Sequence, residues 1–291
     1  MAEPAATVGG TTLPCVVDHH VHLGLVGRSL LASGPVVEVH DLGWDPREAC
    51  RFRAEPPAGV AVRIAGPFHT APGGYPSGRP WAPPTSVCQV GDSAAARRAV
   101  ATAVRRRYDV VKVVLHTGLP LLADEPLRAL VAASHEAGLP VAAHAEGRGQ
   151  TARAVDAGVD VLVHAPWTER VEDDVLHRGR HMTWVSTLAI HDRPEREVAL
   201  DNLHRFRAAG GRVVYGTDLG NGPTPVGVNA AEIRALEEAG LGGDDLLDAV
   251  LGGPGRPPAL VADLPRPRTA DELVAWLAAA HRLPDSGRDD T

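Results

Sequence analysis

The chain has 291 residues, 44% hydrophobic and 22% charged, as expected of a soluble globular protein with room for one large domain or two small ones. A formal net charge of −7 argues against nucleic acid as a main partner, because phosphate contacts need a basic face. Three cysteines without CxxC spacing argue against a disulfide scaffold, and no apolar run approaches the roughly 20 residues that span a bilayer.

The first residues, "MAEPAATVGGTT", show no basic-then-apolar leader, so the expectation is a cytoplasmic protein. Val-rich runs bounded by Gly, Pro or Asp read as strands at 13–19, 35–43 and 60–66. Residues 66–91 follow, a long Pro/Gly-rich loop that is not expected to hold regular structure. A helix is expected at 92–107, opened by Asp92, then a strand at 109–115. Next come a helix at 123–138, a strand at 139–145, a short helix at 149–158 and a strand at 159–165. Strands at 181–187 and 211–218 flank a helix at 194–210 that starts on Pro and ends on Gly. Helices at 229–240 and 269–283 close the pattern, no further strand is expected in the tail, and 284–291 reads as a frayed end.

Alternating strands and helices give a parallel sheet with right-handed crossovers. Eight such strands over about 250 residues fit an α/β fold of the (β/α)8 TIM-barrel type in a single domain. The barrel would cover 13–250, between an N-terminal extension at 1–12 and a C-terminal helix and tail at 251–291. A doubly wound open sheet is the alternative.

In such a barrel the loops after the strands form the functional face. His20 and His22 end the first strand two residues apart, hence on one side. His144, His164 and Asp218 end the fifth, sixth and eighth strands, and Lys112 sits inside the Val run of the fourth. If Val111, Val113 and Leu115 face the helices, Lys112 points inward. Imidazoles and a carboxylate are good ligands for zinc and similar ions. A buried lysine is not; unpaired it loses its proton, and the free amine can take up carbon dioxide as an anionic carbamate able to bridge two metals. A single histidine at a strand end is more often an ordinary hydrogen-bonded side chain. The weight lies in the joint placement of His20, His22, Lys112, His144, His164 and Asp218. His116 and His191 each follow a strand-like run and read equally well as substrate contacts or as satisfied polar neighbours. Phe68, Tyr75, Trp81 and Trp167 fall in loops and hint at an apolar or aromatic ligand.

This pattern resembles the amidohydrolase superfamily, and more narrowly its imidazolonepropionase-like and prolidase-like metal-dependent hydrolases. The segments "VVEVHDLG" (36–43), "YDVVKVVLHTG" (108–118), "GLPVAAHAEGRGQTARAVDAGVDVLVHA" (138–165) and "VVYGTDLG" (213–220) carry the resemblance, which spans about residues 13–250. It implies two divalent ions, zinc foremost, with manganese or iron as alternatives. His20, His22 and Asp218 would hold the more buried ion, His144 and His164 the second, and carboxylated Lys112 would bridge them. Water shared by the ions would lose a proton and attack an amide, peptide-like or cyclic amide carbonyl of a small-molecule substrate. Asp218 would act as general acid/base toward the leaving nitrogen.

Two departures stand out. Relatives carry a small β-sandwich flanking the barrel, whereas this chain reads as a bare barrel, so a homo-oligomer could cover the flank. Relatives also often read "GGHG" after the third strand, where this chain has "GGYPSG" (73–78), placing Tyr75 in the position of a substrate-contacting histidine. Deamination, lactone hydrolysis, or a biosynthetic cyclase or decarboxylase on the same barrel are alternatives, as is a non-catalytic degenerate barrel. Lys112 speaks against mononuclear deaminases, and the intact ligand set speaks against degeneracy.

Overall fold

The computed structural model describes residues 10–252 and 259–283. The expectations for 1–9 of the extension, for the Gly/Pro run at 253–258 and for the frayed end at 284–291 lie outside the described residues. After β1 (Thr11–Pro14), the chain forms a parallel sheet from β2 (Val16–Val21), β3 (Val36–Asp41) and β4 (Ala61–Ile64), in that order. A second parallel sheet has seven strands. The first two in the chain are β5 (Phe68–Thr70) and β6 (Val87–Gln89). The others are β7 (Val111–His116), β8 (Val141–Glu146), β9 (Val161–Leu162), β10 (Thr183–Val185) and β11 (Arg212–Val214). Their order is β11-β10-β9-β8-β7-β5-β6.

The architecture is therefore mixed α/β, with strand pairing in two sheets. Backbone hydrogen bonds tie the sheets at both seams. Asp109 N donates to Ile64 O at 2.9 Å where β4 nears β7. His19 N donates to Tyr215 O at 3.1 Å, and His22 N to Leu219 O at 2.7 Å, where β2 runs beside the chain leaving β11. Strands β9 to β11 are shorter than expected because regular pairing stops early. Single bonds carry the ladder onward, such as Val163 N to Ala143 O and Ser186 N to Val214 O, both at 3.0 Å.

Six expected helices are present: α2 (Ser93–Arg106), α3 (Asp124–Glu136), α4 (Gln150–Ala157), α6 (Arg193–Ala208), α7 (Ala230–Glu238) and α9 (Ala270–Ala279). Asp92 caps α2 by accepting from Ala95 N, as its position suggested. Three helices were not anticipated: α1 (Pro46–Ala54), α5 (Asp173–Arg178) and α8 (Asp244–Val250). The signal for α1 was present in Asp45, whose side chain accepts from Arg47 N and Glu48 N ahead of Pro46.

Two expectations are corrected. The 66–91 loop contains β5 and β6, because pairing of His69 with Val113 recruits a segment whose own composition favours turns. The tail does hold strands: β12 (Ala259–Ala262) and β13 (His281–Arg282) join β1 in an antiparallel sheet ordered β1-β12-β13. The apolar run "ALVA" is only four residues long and lies between prolines, so its period was hidden in the sequence.

The core splits by strand face. Val111, Val113 and Leu115 of β7 join the main apolar cluster, to which helices α2 and α3 contribute Ala99 and Leu130. Val110 belongs to a separate small cluster with Leu42, Ala65, Ala142 and Val163. Lys112 and Val114 share the face of Val110 and open onto a cavity at the carboxyl ends of the strands. Beneath α6, the buried rings of Trp184 and Phe206 stack with centroids 3.9 Å apart at 5°. Phe206→Ala is expected to cost about 3–5 kcal/mol, read as a lower urea midpoint with an unchanged m-value.

Candidate metal centre

The site begins with the way β2 is held. Asp18 accepts from His20 N at 3.1 Å, from Thr217 N at 3.0 Å and from Thr217 Oγ1 at 2.5 Å. One buried carboxylate thus locks the strand bearing His20 to the segment bearing Asp218. The close approach needs Gly216, where a Cβ would lie 2.3 Å from Val185 Cγ1 and 3.2 Å from His20 Cβ. Pairing of β2 with β3 is irregular between Asp18 and Val21, the stretch that contains His20. Asp218 itself has φ 51°, a left-handed conformation that a non-glycine residue adopts at a cost.

Each histidine spends one nitrogen on an outer partner. Nδ1 of His20 donates to Val163 O at 2.8 Å, and Nδ1 of His22 to Gly43 O at 3.1 Å. Nδ1 of His164 is bonded to the Thr187 hydroxyl at 2.8 Å, and Nε2 of His144 to Glu146 Oε2 at 2.9 Å. Bonds of this kind fix tautomer and ring orientation around a metal. With those nitrogens engaged, Nε2 of His20, His22 and His164, and Nδ1 of His144, are the ring atoms left to face a ligand.

The donors converge. Nε2 of His20 and Nε2 of His22 each lie 3.3 Å from Asp218 Oδ1. His20 Nε2 and Asp218 Oδ1 are buried and have no hydrogen-bond partner. Two buried acceptors facing each other are unfavourable unless a cation lies between them. The residues present therefore fit a divalent ion at His20, His22 and Asp218. Ring centroids of His20 and His164 are 4.7 Å apart, and those of His144 and His164 5.0 Å apart, so the second histidine pair adjoins the first.

Burial sets the charge states. It pushes His20 and His164 well below the usual imidazole range and lowers His144, which keeps these rings neutral and able to ligate. Burial alone would raise the Asp218 carboxyl, but His20, His22 and His164 outweigh it and hold it well below the usual carboxylate range. Burial brings the Lys112 amine down to about 7, against the opposing pull of Asp218. Near neutral pH much of this amine is unprotonated, the form that reacts with carbon dioxide.

His20, His22, Lys112, His144, His164 and Asp218 all line a single cavity of about 370 Å³, and Tyr75 and His191 line it too. His116 does not; it stands behind the Tyr75 ring at 4.7 Å. Sequence reasoning missed Glu146, whose Oε2 lies 2.9 Å from both His144 Nε2 and His116 Nδ1, a second grouping able to hold a cation. The signal was available: Glu146 lies two residues after His144, hence on the same strand face. Asp18, Thr187 and Thr217 were also missed, because nothing local marks them as partners of distant groups.

No protein-family model matches the chain, and no curated protein matches it. Solved structures do. An Xaa-Pro dipeptidase with bound methionine in its active site superposes with a TM-score of 0.73 at 18% identity, covering 93% of this chain and 84% of that one. The chain shares this fold, as it does that of a structure described as an amidohydrolase, at a TM-score of 0.71 and 19% identity over 94% and 85% of the two chains. A putative prolidase from Bifidobacterium longum gives 0.71 at 18% identity over 94% and 79% of the two chains. Phenylurea hydrolase B gives 0.70 at 13% identity over 93% and 83%. Within this fold, the described residues contain no helix long and apolar enough to cross a membrane.

The lysine at the centre has a stability signature. The unfolded amine holds its proton up to 10.5, whereas the folded one releases it near 7. Between those values the unfolded chain binds the extra proton, so metal-free, bicarbonate-free protein gains stability as pH rises, up to about 5 kcal/mol. Lys112→Met is expected to be more stable than the parent at pH 6 and to lose this rise, as measured by thermal unfolding from pH 6 to 10.

Proposed function

We propose that the protein is a divalent-metal-dependent hydrolase of C–N bonds in small molecules, cleaving an amide, peptide-like or cyclic amide group. The observation that carries this reading is the convergence of lone pairs from His20 Nε2, His22 Nε2 and Asp218 Oδ1 on one buried point. Likeness of fold to an Xaa-Pro dipeptidase and to phenylurea hydrolase B supports the same class. The two sheets, tied at both seams, are read as one (β/α)8 barrel, with the cavity at the carboxyl ends of its strands.

His20, His22 and Asp218 would hold one cation and His144 and His164 a second, with carboxylated Lys112 as shared ligand. Zinc suits these donors best, and bound there it would supply an acidified water and a polarised carbonyl. Asp218, kept ionised, takes the proton of the attacking water on a carboxylate oxygen. It then returns that proton to the leaving nitrogen, so water and amide become carboxylic acid and amine. Trp167 packs against the His144 and His164 rings, with centroids 5.6 and 5.3 Å away, and keeps bulk water from that side.

Zinc-reconstituted protein in bicarbonate is expected to bind about two ions per chain by mass spectrometry. Asp218→Asn is expected to lower kcat by roughly 10³-fold while the Tm of the metal-free protein stays high. A chain that takes up no ion, or a fully active Asp218→Asn variant, would overturn the reading.

A further inference from the structure

We infer that this site selects uncharged amides bearing an aromatic or branched apolar group, and that Glu146 excludes substrates with a free carboxylate. The inference rests on the hydrolase reading and names the substrate class for it.

Aromatic side chains line the cavity from two directions. Phe68, Trp81 and Tyr75 form a continuous wall, with centroid separations of 6.0 Å and then 6.1 Å, supplied by the segment after β4. Trp167 and His191 supply a second surface from the loops after β9 and β10, stacked at 4.8 Å and 29°. Such surfaces reward flat or branched apolar groups and offer nothing to a hydrated ion.

The charges point the same way. Among the described residues that line the cavity, Lys112 is the one lysine or arginine, and it is buried in the proposed metal centre. Arg79, over the Tyr75 ring at 5.5 Å, and Arg148, just after β8, are both exposed and do not line the cavity. Glu146 does line it. His144 Nε2 is hydrogen-bonded to its Oε2, His116 Nδ1 lies 2.9 Å from the same oxygen, and its Oε1 has no hydrogen-bond partner among the described residues. A cavity of about 370 Å³ is only about 9 Å across if taken as a sphere, which is within one Debye length. A substrate carboxylate placed beside Glu146 is therefore repelled by it and, among the described lining residues, finds no guanidinium or exposed ammonium for compensation.

N-benzoyl-phenethylamine and N-benzoyl-phenylalanine test this, since they share the scissile amide and differ only by the carboxylate. Metal-loaded protein is expected to hydrolyse the neutral member with kcat/KM at least about tenfold higher. Glu146→Gln, loaded to the same metal content, is expected to narrow that ratio at least about fivefold, mainly through a lower KM for the charged member. Preference for the carboxylate, or a ratio that Glu146→Gln leaves unchanged, would overturn the inference. Binding of both compounds to metal-loaded Asp218→Asn protein separates the two readings. Tighter binding of the neutral compound without turnover by the parent counts against the hydrolase reading alone. Equal or reversed affinities count against this inference alone.

Discussion

The structure depends on holding several imidazoles and one ionised carboxylate together around a single cavity. Left to themselves, His20, His22 and Asp218 would turn away from one another. They do not, because each ring's other nitrogen is committed elsewhere: His20 to the Val163 carbonyl and His22 to the Gly43 carbonyl. Those carbonyls belong to neighbouring stretches of the strand framework, so the pairing of strands fixes which nitrogen of each histidine is free. The chemistry of the site is set by backbone geometry one layer out.

That geometry has a cost, which the surrounding structure absorbs. Thr187 and Asp218, both buried, adopt positive φ values of 44° and 51°. Thr187 repays its conformation by bonding His164, and Asp218 is steadied by Asn221 Nδ2, which donates to its Oδ2 at 2.8 Å. Below them, Glu232 of α7 accepts from Ala189 N at 2.7 Å, and burial pushes its carboxyl up to about 7. Asp18 is likewise pushed up to about 7 by burial, even with its bonds to Thr217 and His20. Two strained residues and two costly buried carboxyls in one region fit a part of the molecule shaped for binding more than for stability.

The first and last described strands meet on a different principle. Strand β1 pairs with β12 through Thr11 opposite Ala262 and Pro14 opposite Ala259. Leu13, Leu260 and Ala262 are buried. Arg282 donates to the Gly34 and Val36 carbonyls, fastening β13 to the entry of β3. This small sheet closes one flank with hydrogen bonds and a few apolar contacts and contributes nothing to the cavity.

The sequence by itself determined the elements whose signals are local. Val-rich runs gave the principal parallel strands, Asp92 and the Gly-terminated segments bounded helices, and two-residue alternation set His20 with His22 and turned Lys112 away from the helices. Strand-end placement sufficed to nominate His20, His22, His144, His164 and Asp218, which with Lys112 line one cavity, because in parallel α/β folds all strand carboxyl ends share a side. Only the tertiary structure decided the rest. It paired β5 and β6 into a sheet, recruited β12 and β13 from a proline-flanked tail, and chose which nitrogen of each imidazole is free. It also set Glu146 between His144 and His116 and moved His116 out of the cavity lining. Those outcomes depend on partners tens to hundreds of residues away, and a hydrogen bond such as Thr217 to Asp18 leaves no periodic trace in the chain that makes it.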